Sequence, residues 1–455
     1  MIFEFISILI LSIGVIFLYF YLLKNTVFGL NFKTANYVGF FLVFEIFFYL
    51  LPGIILLNLF PVDTFFAVFK VEQSTVYWIS LIILYSFFSI IFLFWFFSIF
   101  LKKYLMIESD EQLVLNQQTS HNIIMFTRFI VILCLIFLGL LLIMTDAKHA
   151  FISTINGDIS LSIIRATNKS IGFAKYLNHL FIFIGPLIAI LIATPFYDKR
   201  NIERIFIFII AIILSTYMGS KSPLMNTILT YIVAYFTFHH IRISLKNFFF
   251  LFLFLVFMFY FVYIVVSLQY QNFTFNIFLE YFVNRIFIAQ IVGVYEEYNL
   301  LLSDWSYWWH SIPFASFFTD YPIFHKDLMM VSEDRINPDS IGIKNTLFIA
   351  EAYAFGGWIL VLISPFIYVL NIIFSFLWFN FLLNVIIDNQ IYTKYIVGLF
   401  LFSYISLSGG FSDILFFKLP LMITIFLSVF LIPLFTFKYL RKMLQNIILN
   451  KEVLK

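Results

Sequence analysis

Charge is scarce in this chain. Asp, Glu, Lys and Arg make up 11% of its 455 residues, against about 25% in soluble globular domains, which excludes a water-soluble enzyme fold for most of its length. The net charge of +3 is small and scattered, and nucleic-acid binding, which needs a clustered basic face, is excluded with it. One cysteine, Cys134, sits inside an apolar run; no internal disulfide and no cysteine-built metal cluster can form. HExxH and DxD are absent, and His310 and His325 are too far apart for a local metal motif, so metal dependence has no sequence support. What fills the chain is apolar: 63% hydrophobic, 22% aromatic, 67 Phe and a mean hydropathy of +1.03. Its apolar runs approach the ~20 residues of a helix crossing ~30 Å of hydrocarbon, and they are not the short alternating strands of a membrane barrel. The expected fold is all-α, a polytopic integral membrane protein.

Runs bounded by polar residues predict spans near 2–23, 37–60, 76–101, 124–144, 178–196, 203–218, 224–240, 247–267, 357–380, 394–408 and 414–437, about eleven in all. The first has Glu4 and no Lys or Arg before Lys24. It lacks the basic start and small-residue cleavage site of a signal peptide and is expected to remain as a span. If the connections alternate sides, one set comprises 24–36, 102–123, 197–202, 241–246, 381–393 and 438–455. With Arg128, Arg204 and Lys394 just inside span ends, it holds sixteen of the 27 Lys and Arg on the shorter loops. The positive-inside rule makes this set cytoplasmic, with the N-terminus outside and the C-terminus inside. The long segments, 145–177 and 268–356, then face outward and form the active-site face of a single membrane-embedded domain, 1–455. The second is too long for a bare connection. Helical spacing over Phe278–Leu302 and the density of Trp, Tyr and Phe over Asp304–Phe318 predict interfacial helices and a lid.

The outer face carries the residues from which chemistry could be built. Arg165 and Lys169 lie in the loop before the fifth span, Lys221 in the tight turn Gly219-Ser220-Lys221-Ser222, and Arg285 alone in an apolar helical stretch. Three separate elements thus bring cations to one interface, which suits a lipid-linked diphosphate: guanidinium binds phosphate oxygens in pairs and ammonium neutralises them. Taken singly, each also has a plainer reading as a snorkelling anchor or solvated charge. Glu351, directly before a span, is costly there unless paired or poised to accept a proton; Lys344 or a helix N-terminus would be its structural partner. Asp413 and Lys418 read as an ion pair, and Glu45, mid-span, has no assigned partner.

This layout resembles the Wzy-type oligosaccharide repeat-unit polymerases of O-antigen, enterobacterial common antigen and capsule. The resemblance is architectural over nearly the whole chain. It rests on the span count, Arg165 followed by Gly172, the Gly219-Ser220-Lys221 turn, the late outer loop, and Glu351-x-Tyr353-x-Phe355-Gly356 entering a span. Family members commonly carry Arg where this chain has Lys221. The resemblance implies a metal-independent glycosyltransferase of the inner (plasma) membrane, without cofactor. It would move a growing glycan from undecaprenyl diphosphate to the non-reducing end of a new lipid-linked repeat unit, with a flippase and a chain-length regulator as partners. Arg165, Lys169, Lys221 and Arg285 would bind the diphosphate, and Glu351 or, after it, His310 would be the base. Two alternatives stay open: an O-antigen ligase, for which His310 would serve, and a non-enzymatic flippase, against which the clustering of charge at one face argues.

Overall fold

The computed structural model of the chain describes residues 2–62, 70–107, 116–144, 172–217, 221–244, 282–313, 318–333 and 344–404, with position 315 and scattered positions over 246–257 and 407–433. The described residues are all helix, turn and loop; extended pairing is confined to the single bridges Thr26↔Met106 and Asn31↔Asn36. That outcome follows from composition. Backbone in hydrocarbon must satisfy its own N–H and C=O groups, and a helix does so within one segment.

Among the described residues, five helices are long and apolar enough to cross a bilayer: α1 (Ile2–Leu22), α2 (Phe40–Leu59), α3 (Gln73–Phe100), α4 (Gln117–Met144) and α10 (Phe348–Ile387). Between α4 and α10 lie α5 (Gly172–Ile192), α6 (Asn201–Thr216), α7 (Lys221–Phe238), α8 (Val292–Leu300) and α9 (Phe324–Ser332). The last labelled helix is α11 (Gln390–Tyr404). The spans predicted near 247–267 and 414–437 fall largely outside the described residues, as do most of the 145–177 loop and the side chains of Asp413 and Lys418.

The chain divides into two compact units, one of Met1–Asp110, His240–Ser375 and Ile405–Leu419, the other of Glu111–His239, Phe376–Tyr404 and Pro420–Lys455. In the first, α1 and α3 run side by side in the same direction. Ser7 Oγ donates to Tyr77 Oη at 3.2 Å near their starts, Gly14 faces Phe88, and Phe28 stacks on Phe94 with ring centroids 4.3 Å apart at the far end. α2 is the return between them. Its middle, Phe44–Leu50, widens into a π-helix, because Pro52 offers no N–H to the carbonyl four residues back and its ring presses on that carbonyl.

Where it is described, the stretch 268–356 is a series of short elements, two of them helices of nine residues. They are a π-turn at Asn284–Ile288, α8, a 3-10 turn at Trp305–Tyr307, one turn at Trp308–Ser311, and α9. Leu301 in the left-handed region ends α8, and Pro313 and Pro322 keep later turns from joining. α10 is broken at Gly356 and Gly357, the latter at φ 60, ψ −154, a conformation nearly confined to glycine. The break comes where the sequence pattern starts its span. In the second unit α5 is the central helix, packed on α4, α6, α7 and α11. Leu187 through Ile192 are all buried, and Ser215 of α6 meets Thr227 of α7 at 2.7 Å beside Gly185.

Candidate functional site

The first unit gathers its buried polar groups around the start of α10. Phe348 N–H donates to Leu407 O at 3.2 Å, and one turn later Glu351 points inward, its side chain fully buried. Two partners hold the carboxylate. Nε2 of His325, on α9, pairs with Oε1, and the Ser412 backbone N–H donates to Oε2 at 2.7 Å, with Ser412 Oγ 3.5 Å from Oε1. Ser412 belongs to the first turn of a four-residue helix, Phe411–Ile414, whose early N–H groups lack intrahelical acceptors; Gly410 at φ 89 turns the chain into it. The His310 imidazole lies within electrostatic reach of the same carboxylate.

His325 is held at its backbone and at both ring nitrogens, with part of the side chain still exposed. Its carbonyl accepts from Lys344 N–H at 3.2 Å, and its Nδ1 lies 3.4 Å from Thr346 Oγ1. In the neutral tautomer that gives Nε2–H to Glu351, Nδ1 carries the lone pair and is the acceptor end of the ring. Segment 344–346 is itself held by α8. Gly293 lets that helix approach so closely that a Cβ there would sit 2.3 Å from Asn345 O. Asn345 Nδ2 donates to Gln290 Oε1, and Gln290 Nε2 to Arg285 O, both at 3.0 Å. Arg285 is therefore tethered through its backbone to the same segment, and its side chain is exposed.

A second acidic group lies on α8. Glu296 is buried and pairs with Lys344 Nζ at 2.8 Å, with Glu333 3.9 Å from the same ammonium. Burial raises the Glu296 carboxyl above its usual range and Lys344 opposes the rise. Glu297 is also fully buried, neither of its oxygens has a hydrogen-bond partner among the described residues, and burial pushes it up to about 9. Tyr307 donates to Asp327 Oδ2 at 3.0 Å, and burial raises Asp327 as well.

Over this cluster, residues 303–308 strap the end of the first α10 segment. Asp304 N–H and Ser303 Oγ donate to Ala354 O at 3.2 and 3.3 Å, and Trp308 Nε1 donates to Phe355 O at 2.6 Å. These carbonyls lose their helical partners at the Gly356–Gly357 break, and the strap replaces them.

Of the residues singled out in the sequence, Glu351 and His310 come together, and Arg285 lies on a turn linked to their neighbourhood. Arg165 and Lys169 lie outside the described residues; Lys221 opens α7 in the other unit, and its side chain is outside them too. Of the two structural partners expected for Glu351, Lys344 pairs with Glu296 instead. A helix N-terminus does meet it, through the Ser412 N–H in the first turn of Phe411–Ile414, with His325 as the partner that was not foreseen. Glu45 accepts from Leu407 N–H at 2.8 Å. The roles of His325, Ser412, Glu296 and Glu297 were missed because each depends on contacts between distant parts of the chain; only the oddity of adjacent carboxylates in an apolar stretch marks Glu296 and Glu297 in advance.

No protein-family model, no curated protein and no solved structure matches the chain. Its own fold defines a helical protein with several apolar helices suited to a multi-pass membrane location.

Proposed function

We propose that this chain is a multi-pass membrane glycosyltransferase that polymerises lipid-linked oligosaccharide repeat units, as its resemblance to the Wzy-type polymerases implies, with about eleven crossings and 268–356 on the outer side. The observation that carries the reading is the buried Glu351–His325 pair, backed by the Ser412 N–H and flanked by His310. A carboxylate with no access to solvent cannot itself meet an acceptor hydroxyl. It can hold an imidazole in one tautomer and stabilise the imidazolium that forms when the ring takes a proton. His325 Nδ1 is then the proton acceptor and Glu351 positions it.

In the reaction, the bond between the anomeric carbon and the diphosphate oxygen breaks with its electron pair leaving on the diphosphate. The acceptor oxygen bonds to that carbon, and its proton passes to His325. Of the candidate cations, Arg285 has a described, exposed side chain and would meet the departing diphosphate, with Arg165, Lys169 and Lys221 as further candidates from the sequence; removal of one such contact costs roughly 100–1000-fold in rate.

The test is transfer by the purified protein given lipid-linked repeat units. Wild type should build a ladder of chain lengths, and His325→Gln and Glu351→Gln should each lose roughly 100–10,000-fold in rate while still binding substrate. The double variant should lose little more than either single one, because the two groups act as a unit. Flipping of the lipid without a new glycosidic bond would replace this reading with transport, and full turnover by both variants would remove the pair from the chemistry.

A further inference from the structure

At the opposite end of the first unit from the Glu351 cluster, three connections are tied into one shelf. Val27 N–H donates to Leu105 O at 2.8 Å and Ile107 N–H to Asn25 O at 2.9 Å, joining 24–36 to the turn after α3. Tyr37 Oη donates to Ile241 O at 2.8 Å and accepts from Ile243 N–H at 2.9 Å, joining 241–243 to the end of the 24–36 loop. The 24–36 loop is braced internally. Asn31 and Asn36 exchange backbone hydrogen bonds of 2.8 and 3.0 Å, and the Asn36 side chain donates to Thr26 O and Gly29 O at 3.1 and 3.3 Å. Gly29 passes so near Leu23 O that a Cβ would lie 1.9 Å from it.

This preorganised shelf displays six exposed cations: Lys24, Lys33, Lys102, Lys103, Arg242 and Lys246. The segments 24–36, 101–107 and 241–247 contain no Asp or Glu, and Glu108, Asp110 and Glu111 follow directly in the sequence. Just behind the cations, the apolar faces of the helices remain exposed, with Tyr21 at 63% and Phe100 at 70%. The Lys103 ammonium lies 5.6 Å from the Tyr104 ring centroid, and that of Lys246 lies 6.0 Å from that of Phe250.

We propose that this shelf is a binding surface for the headgroups of anionic phospholipids. The exposed aromatics Tyr21 and Phe100 behind the cations decide for lipid over a soluble anion. A lipid phosphate sits at the height of the ammonium and guanidinium groups while its acyl chains lie on Tyr21 and Phe100, a register that free phosphate has no use for. The loop bracing fits the same role, since cations on a rigid frame lose little entropy when they engage a headgroup. The surface is separate from the transfer chemistry and stands without it.

The test uses the full-length protein in phosphatidylcholine nanodiscs with and without phosphatidylglycerol, read by thermal stability and by lipid retained in native mass spectrometry. Phosphatidylglycerol should raise Tm and remain bound. The variant K33Q/K102Q/K103Q/R242Q should match wild type in phosphatidylcholine alone but lose the increment, with affinity falling about fivefold per cation removed. K33R/K102R/K103R should keep it. If the fourfold variant fails to fold, Lys33→Gln at the exposed loop tip carries the test by the same fivefold loss. An undiminished increment in the Gln variants would overturn the proposal. So would no increment in wild type, or an equal one from inorganic phosphate, which would make the shelf a soluble-anion site.

Discussion

Glu297 and Glu296 are neighbours on α8 with opposite circumstances. Glu297 has no partner for either oxygen among the described residues, and burial raises its pKa to about 9 from an ordinary value of 4.5. The folded state therefore keeps a proton that the unfolded chain gives up, and stability is greatest below pH 4.5 and declines as pH rises towards 9. The slope is up to about 1.4 kcal/mol per pH unit. Glu297→Gln is expected to flatten that decline and raise Tm at neutral and alkaline pH; thermal unfolding at several pH values checks it. Glu296 depends on Lys344. Lys344→Ala would leave a buried carboxylate without its counter-charge and should cost about 3–5 kcal/mol, while Glu296→Gln combined with Lys344→Met should recover most of the loss. Denaturant or thermal titration of the three variants measures this directly.

At the scale of elements, α8 is the wedge that keeps segment 344–351 in place, and Gly293 is its point of closest approach. Gly293→Ala would push Asn345 back by the width of a methyl group. The overpacking should cost about 1–3 kcal/mol and disturb His325 through Lys344 and Thr346, so transfer should fall along with stability. Gly139, in α4, has nothing among the described residues within 4 Å of where its Cβ would stand. Gly139→Ala should be neutral or slightly stabilising, because alanine favours the helix by up to about 1 kcal/mol. Paired Tm and turnover measurements on these two variants separate a specific contact at α8 from a general effect of losing glycine.

For the whole molecule, sidedness is the property on which the proposed chemistry depends. If 268–356 is outside, a cysteine placed by Met330→Cys should react with a membrane-impermeant reagent added to the outside of intact cells, and one placed by Lys33→Cys should react only after the membrane is opened. The native Cys134 is buried and should stay silent in both. Labelling of position 330 only from the cytoplasmic side would put the Glu351–His325 pair out of reach of an exported glycan. The structure brings 24–36, 102–107 and 241–243 to one end of the first unit, the grouping expected of loops that share a side.

Composition by itself determined that the chain is helical and apolar enough for a membrane, because hydrocarbon leaves the backbone one economical way to bond within a segment. Apolar run length located α1, α2, α3, α4 and the start of the long part of α10 at Gly357, since each is a local property of consecutive residues. Glu351 and His310 were also legible, being polar groups where polarity is costly. Their company was not. Whether Glu351 meets Lys344 or His325 depends on α9 folding back over the start of α10. Whether Ser412 offers an N–H depends on the turn at Gly410, and whether Glu297 is left without a partner depends on which rings and carbonyls pack around α8. Those are contacts across 26 to 61 positions of sequence, the spacings of His325 and Ser412 from Glu351. Only tertiary structure decided them, because the free energy of a buried charge is set by the few groups that close around it, and no local pattern specifies which groups those will be.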